Sequence, residues 1–193
     1  MNRILPLTAA CACLLLTACA SERDHFYVLN ILPQDARATA AAPTLHVLLS
    51  VSVPSVVDRA EMVVGTSDNG ILVLDHDRWA GTFADQIAQT LARDIEKRRS
   101  DVLVGDRGFG QAATPSVTLR VDIVRMVASL GGSASVEAHW RIVDAGAGVD
   151  EIGGDVFTVP VPVDGTGYAA VARAYSQALS SLADKLSAGV RRR

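Results

Sequence analysis

Beyond position 19 the chain contains no cysteine: Cys11, Cys13 and Cys19 are all there are in its 193 residues. No disulfide framework can therefore staple the remaining sequence. Basic charge is also scarce, with 18 Lys+Arg against 21 Asp+Glu and a net charge of -3. That balance argues against a nucleic-acid partner, which would demand a basic stripe. A long apolar run is missing too. The stretch from Ile4 to Leu16 holds about a dozen mostly apolar residues, broken by Pro6 and Thr8, whereas roughly 20 are needed to cross a bilayer. The motifs of common enzymes are absent: there is no Gly-x-Ser-x-Gly, no His-Glu-x-x-His and no Walker loop. His25, His46, His76 and His139 share no helix face, so neither a metal site nor a cofactor is expected and the chain does not read as an enzyme. No internal repeat and no domain boundary interrupt it.

Apolar residues make up 49 % of the chain, enough to offset the entropy of ordering it, so disorder is excluded and one domain is the natural reading. Met1-Asn2-Arg3 and the short apolar run behind it have the form of a signal peptide over 1–18. Leu16-Thr17-Ala18-Cys19 resembles the bacterial lipobox, in which the cysteine is acylated and becomes the first residue of the mature protein. In that resemblance Cys19 carries the lipid, palmitate among its acyl chains, and multiple chains make attachment effectively permanent. Ala20 follows it; by resemblance to bacterial sorting rules, the absence of Asp there favours the periplasmic face of the outer membrane. Residues 19–25 are then a lipidated tether of about 20 Å at full extension, which keeps the domain, 26–193, against the leaflet.

The rest of the sequence alternates strand-like and helix-like patterns. Short strands are expected at Phe26–Leu29, Leu45–Val53 and Val102–Val104, and a hairpin at Glu61–Gly65 and Gly70–Leu74 turning through Ser67-Asp68-Asn69-Gly70. From about Trp79 the period changes, and Phe83, Ile87, Leu91 and Ile95 mark an amphipathic helix with Asp75 or Asp77 as its expected cap. Val117 to Ile123 and Val136 to Ile142 alternate as two half-buried strands joined at Gly131-Gly132. Phe157, Val159, Val161 and Val163 follow, with Pro160 and Pro162 marking an edge strand. Asp164-Gly165-Thr166-Gly167 leads into a last helix carrying Val171, Tyr175, Leu179, Leu182 and Leu186 on one stripe. The expected fold is α/β in the α+β sense, a mixed or largely antiparallel sheet with two main helices packed on it.

Two motifs invite chemistry and have blander readings. The loop Pro33–Pro43 shows no periodicity, and Gly105-Asp106-Arg107-Gly108-Phe109-Gly110 lacks the lysine and following helix of a phosphate loop, so it reads as a surface loop. Asp75-His76-Asp77 has no recognisable nucleophile to serve, and helix capping with solvated polar residues accounts for it.

Along the chain run, in order, Phe26-Tyr27-x-Leu29; Val53-Pro54 followed by Val57-Asp58-Arg59 and Met62-Val63-Val64; Arg78-Trp79-Ala80; Val117-x-Leu119; Ala138-x-Trp140; and the final Ala-rich helix. In this order the motifs resemble the PqiC family of ABC-type transport auxiliary lipoproteins. The resemblance implies a lipoprotein subunit of an intermembrane lipid transport system that supports envelope integrity. Its partners would be an MCE-domain periplasmic protein and the inner-membrane transporter behind it, with ATP hydrolysis left to that transporter. The chain would dock the conduit at the outer membrane; a cyclic conduit is compatible with a homo-oligomeric collar. The alternative is a structural or assembly lipoprotein that binds an envelope protein without handling lipid.

For contacts the candidates are Arg59, Asp58, Trp79 and Arg78. Arg59 has the donor fork to hold a partner's carboxylate or a phospholipid headgroup, or it can pair with Asp58 to fix the turn after Pro54. Trp79 reads as a core staple or as a partner contact, and Trp140 as core. Arg191-Arg192-Arg193 read as a frayed end or as an attraction to anionic lipid.

Overall fold

A computed structural model describes residues 22–32, 43–105, 116–144 and 151–190. The Pro33–Pro43 loop up to its last residue, the phosphate-loop look-alike beyond Gly105, the signal and lipobox residues and the arginine tail lie outside those spans. The strands divide into two sheets rather than forming the expected single one. In the smaller sheet β1 (His25–Tyr27) runs parallel to β4 (Ile71–Trp79), and β3 (Glu61–Gly65) pairs antiparallel on the other side of β4. The larger sheet has the order β5-β2-β6-β7-β8, from β5 (Val102–Gly105), β2 (Leu45–Ser52), β6 (Ser116–Ala128), β7 (Ser133–Asp144) and β8 (Glu151–Pro162). The β5-β2-β6 part is parallel and β6-β7-β8 is an antiparallel meander. Both sheets are thus mixed, and with helices α1 (Phe83–Arg98) and α2 (Tyr168–Gly189) the fold is α+β.

Burial follows the residue periods. In β6 and β7, Leu119, Val121, Ile123, Ala134, Val136, Ala138 and Ile142 are buried at every second position, as a one-sided sheet demands. Phe83, Ile87, Leu91 and Ile95 of α1, and Val171, Tyr175, Leu179, Leu182 and Leu186 of α2, are all buried, so the two stripes meet each other and the sheet. At the far end of α2, Gly189 lets Trp140 of β7 approach: a Cβ there would lie 2.5 Å from the indole. The β3–β4 turn closes with Thr66 N–H donating to the Gly70 carbonyl at 2.9 Å and Asn69 in the left-handed region at φ 58°; Asn tolerates that region better than most residues. β8 sits at the edge, as its two prolines require.

The expected helix start is corrected. Asp75, His76 and Asp77 lie inside β4, which continues to Trp79, and α1 begins at Phe83 behind Thr82. The strand runs on because it has a partner on each side: Asp77 is opposite His25 and Arg78 opposite Glu61. Neither aspartate caps the helix. Thr82 makes no side-chain cap bond either, and the acceptor comes from elsewhere in the chain: Asp58 Oδ1 takes the Ala84 N–H at 3.1 Å.

Candidate functional site

The two ends of the β3–β4 hairpin differ in chemistry. At the end away from its turn, Glu61 opens β3 opposite Arg78 of β4. The single Glu61 carboxylate accepts from two guanidinium groups, Arg59 Nε to Oε2 and Arg78 Nη2 to Oε1, each at 3.0 Å. The Arg59 hydrogen bond foremost, with the charge of both guanidinium groups beside it, holds the Glu61 carboxyl below its ordinary range. Two cations share one anion, so each guanidinium keeps donors for a further carboxylate or phosphate. The expected Asp58–Arg59 pair does not form: Arg59 turns to Glu61, while Asp58 is drawn to the positive N-terminus of α1.

Trp79, beside this cluster in sequence, is core. It is only 3 % exposed, and its ring stacks on Phe83 with centroids 4.3 Å apart and Tyr175 close behind at 6.4 Å. The triad joins β4, α1 and α2 and leaves Trp79 no open face for a partner. Among the described residues the exposed large aromatic is instead Phe26, 63 % exposed on edge strand β1 and in register with Arg78. Periodicity cannot flag it, because a three-residue strand is too short to show which face looks outward.

Polar side chains join β1 and β4 on both faces of the strand pair. Tyr27 Oη donates to Asp77 Oδ1 at 2.6 Å, and burial together with that bond pushes the phenol up to about 12. His76 lies 3.0 Å from Asp24 and 3.8 Å from Glu22, and the bond to Asp24 raises its pKa. The incoming chain is thereby tied to β4. No cluster of metal-ligating side chains occurs among the described residues.

At the turn end of the hairpin the two sheets meet. Ser129 Oγ donates to the Gly65 carbonyl at 3.1 Å, and a Cβ on Gly65 would come within 3.0 Å of Val127. Above this seam lies an open groove of about 710 Å³, lined among others by Val56, Val63, Ile71, Val124 and Arg125. Its wall is shaped by a bulge in β6: the register shifts between Ile123 and Arg125, so Val124 and Arg125 are both exposed before Met126 returns to the core. The sequence carries a trace of this in the adjacent apolar pair Ile123-Val124, where alternation breaks.

A sequence model of the ABC-type transport auxiliary lipoprotein component matches residues 27–187. The chain belongs to that family. Auxiliary lipoproteins of this kind serve transport systems and are not an enzyme family. Among the described residues no helix is long and apolar enough to cross a membrane, and association through lipid is what the family name states. Solved structures show the same fold. One, titled only as an uncharacterized protein, superimposes with a TM-score of 0.72 at 16 % identity, over 88 % of this chain and 100 % of its own. Another, from Xanthomonas campestris and assigned to the DUF330 family, gives 0.61 at 21 % identity over 84 % and 92 %. No curated protein sequence matches the chain. The family model begins at Tyr27, so Tyr27, Asp58, Arg59, Arg78 and Trp79 all fall within it, whereas Cys19 and Phe26 precede it.

Proposed function

We propose that this auxiliary lipoprotein is the outer-membrane docking adaptor of an MCE-type intermembrane lipid transport system. The family match over residues 27–187, lying behind Leu16-Thr17-Ala18-Cys19, is the observation that carries the reading. Residues 1–18 direct export and are removed, residues 19–25 tether the chain by the lipid on Cys19, and residues 26–193 form the docking domain. Its partners are an MCE-domain periplasmic protein and the inner-membrane transporter that drives it; the domain's own part is to bind and orient.

Charge and position support Arg59 and Arg78 as the partner-binding pair. β4 spans eight steps from Ile71 to Trp79, about 26 Å at about 3.3 Å per residue. The arginines therefore stand well away from the hairpin turn. Their unfilled donors suit a carboxylate-bearing surface, and exposed Phe26 beside Arg78 adds an aromatic anchor of the kind that dominates interface energetics. Asp58 works through position: by capping α1 it fixes the loop that presents Arg59. Trp79 acts from the core beneath them.

Replacing both cations, Arg59→Gln with Arg78→Gln, tests this. Both side chains are partly solvated, so the fold is retained. The variant is expected to stay in the membrane fraction while co-purification of the MCE-domain partner is lost. Undiminished co-purification would remove this face from the docking site. Capture of some other envelope protein by the unaltered chain would favour the assembly-lipoprotein reading.

A further inference from the structure

The polar contacts along β1 and β4 fix the direction from which the tether arrives. β1 runs parallel to β4, and His25 is paired with Asp77. The chain upstream of His25 therefore comes from the side on which β4 begins, the side of the β3–β4 turn. Glu22 and Asp24 both reach His76, one residue nearer that turn than Asp77. Only three peptide steps separate Glu22 from Cys19, a span of about 10 Å.

Exposed apolar side chains gather at that same end. Eight large hydrophobic residues are exposed among the described residues, and five of them border this region. Ile71 and Leu72 open β4 at the β3–β4 tip, Leu130 lies in the β6–β7 turn, and Val56 and Val124 face the groove between. The Gly65–Ser129 seam holds the two tips side by side. Arg125, exposed by the bulge, lines the groove and makes no ion pair among the described residues.

We infer that this face, the tips of the β3–β4 and β6–β7 hairpins with the groove between them, docks on the phospholipid leaflet that holds the Cys19 anchor. The inference rests on Cys19 being lipidated and adds which face looks at the membrane. A short tether arriving from this side keeps the tips near the headgroups, where apolar side chains gain by burial in the acyl boundary. Arg125 is placed to meet a phosphate, an attraction strongest near the surface. The arginine pair at the other end of the hairpin is thereby left facing away from the leaflet, toward the periplasm.

The test uses the full lipidated protein in vesicles of phosphatidylethanolamine and phosphatidylglycerol, without any transport partner. Leu72→Cys and Leu130→Cys, each labelled with an environment-sensitive fluorophore, report the tips. Asp85→Cys on the exposed first turn of α1 serves as control. Phospholipids carrying a quencher on the acyl chain are expected to remove most of the emission at 72 and 130 and leave that at 85 unchanged. Equal quenching at all three positions, or none at the tips, overturns the inference. So does energy transfer between the tips of two copies together with unquenched emission at 72 and 130, because a second copy rather than lipid then covers the face. Should Leu72→Cys perturb the hairpin, Ser67→Cys in the exposed turn just before β4 replaces it. Intact mass separates the two levels: an unlipidated Cys19 overturns the anchoring reading and this inference with it, whereas a lipidated chain with unquenched tips overturns the inference alone.

Discussion

Asp58 shows how one carboxylate organises the proposed docking end. It accepts the Ala84 N–H across 26 positions of sequence, and in doing so it serves a helix whose own preceding residue, Thr82, offers no side-chain cap. Losing a capping acceptor costs about 0.5–2 kcal/mol. Asp58→Ala is expected to lower stability by that amount in urea unfolding, with Asp58→Asn retaining most of it because an amide oxygen can still accept. Equal losses in both variants would show that charge near the helix N-terminus matters more than the hydrogen bond. No sequence pattern announces this cap, since capping signals are sought in the residues just before a helix. The same locality points to Asp75 and Asp77, which are near the helix in sequence but belong to a paired strand. Likewise the sequence offers Arg59 its neighbour Asp58 or a partner; it bonds instead to Glu61, two residues on, and shares that group with Arg78.

Between elements, the decisive polar contact joins α1 to α2. Arg98 is 5 % exposed and donates to Asp184 at 2.5 Å, to the Asp94 carbonyl at 2.9 Å and to the Ser180 carbonyl and hydroxyl at 2.9 and 2.8 Å. The fully buried Asp94 carboxylate lies 3.4 Å from it. Burial raises the Asp94 pKa while the nearby guanidinium opposes the rise. A folded acid with a raised pKa binds protons more tightly than the unfolded chain, so its ionisation costs stability as pH rises through the folded pKa. Arg98→Ala would strand that charge and is expected to destabilise the domain by about 3–5 kcal/mol at pH 7, with the deficit shrinking as pH falls toward the Asp94 range. Unfolding midpoints measured across that pH interval check both parts; a pH-independent deficit would assign the loss to packing alone. The apolar stripes of both helices were legible from their period, and the β6, β7 and β8 strands from alternation and prolines. The division into two sheets was not, because strand patterns state which residues are buried and not which strands pair. Nor was Arg98 legible as a buried tie: on the sequence it is one of several charges closing a helix.

For the whole molecule, the hairpin tips stand at one end and Arg59, Arg78 and Phe26 at the other, and the chain enters β1 from the side of the tips. A protein anchored to one membrane that must engage a partner arriving from the other needs this kind of polarity. Family membership supplies the association with transport, and the placement of charge supplies a direction for the proposed contact. Trp79, whose exposure a partner contact would require, contributes by packing Phe83 and Tyr175 beneath that end. The most direct test of the adaptor reading is photo-crosslinking in intact cells from positions 26 and 59, with mass spectrometry of what is captured and position 130 as the comparison. The account predicts an MCE-domain protein captured from 26 and 59 and lipid alone from 130; capture of that protein only from 130, or of no MCE-domain protein from any position, would contradict it.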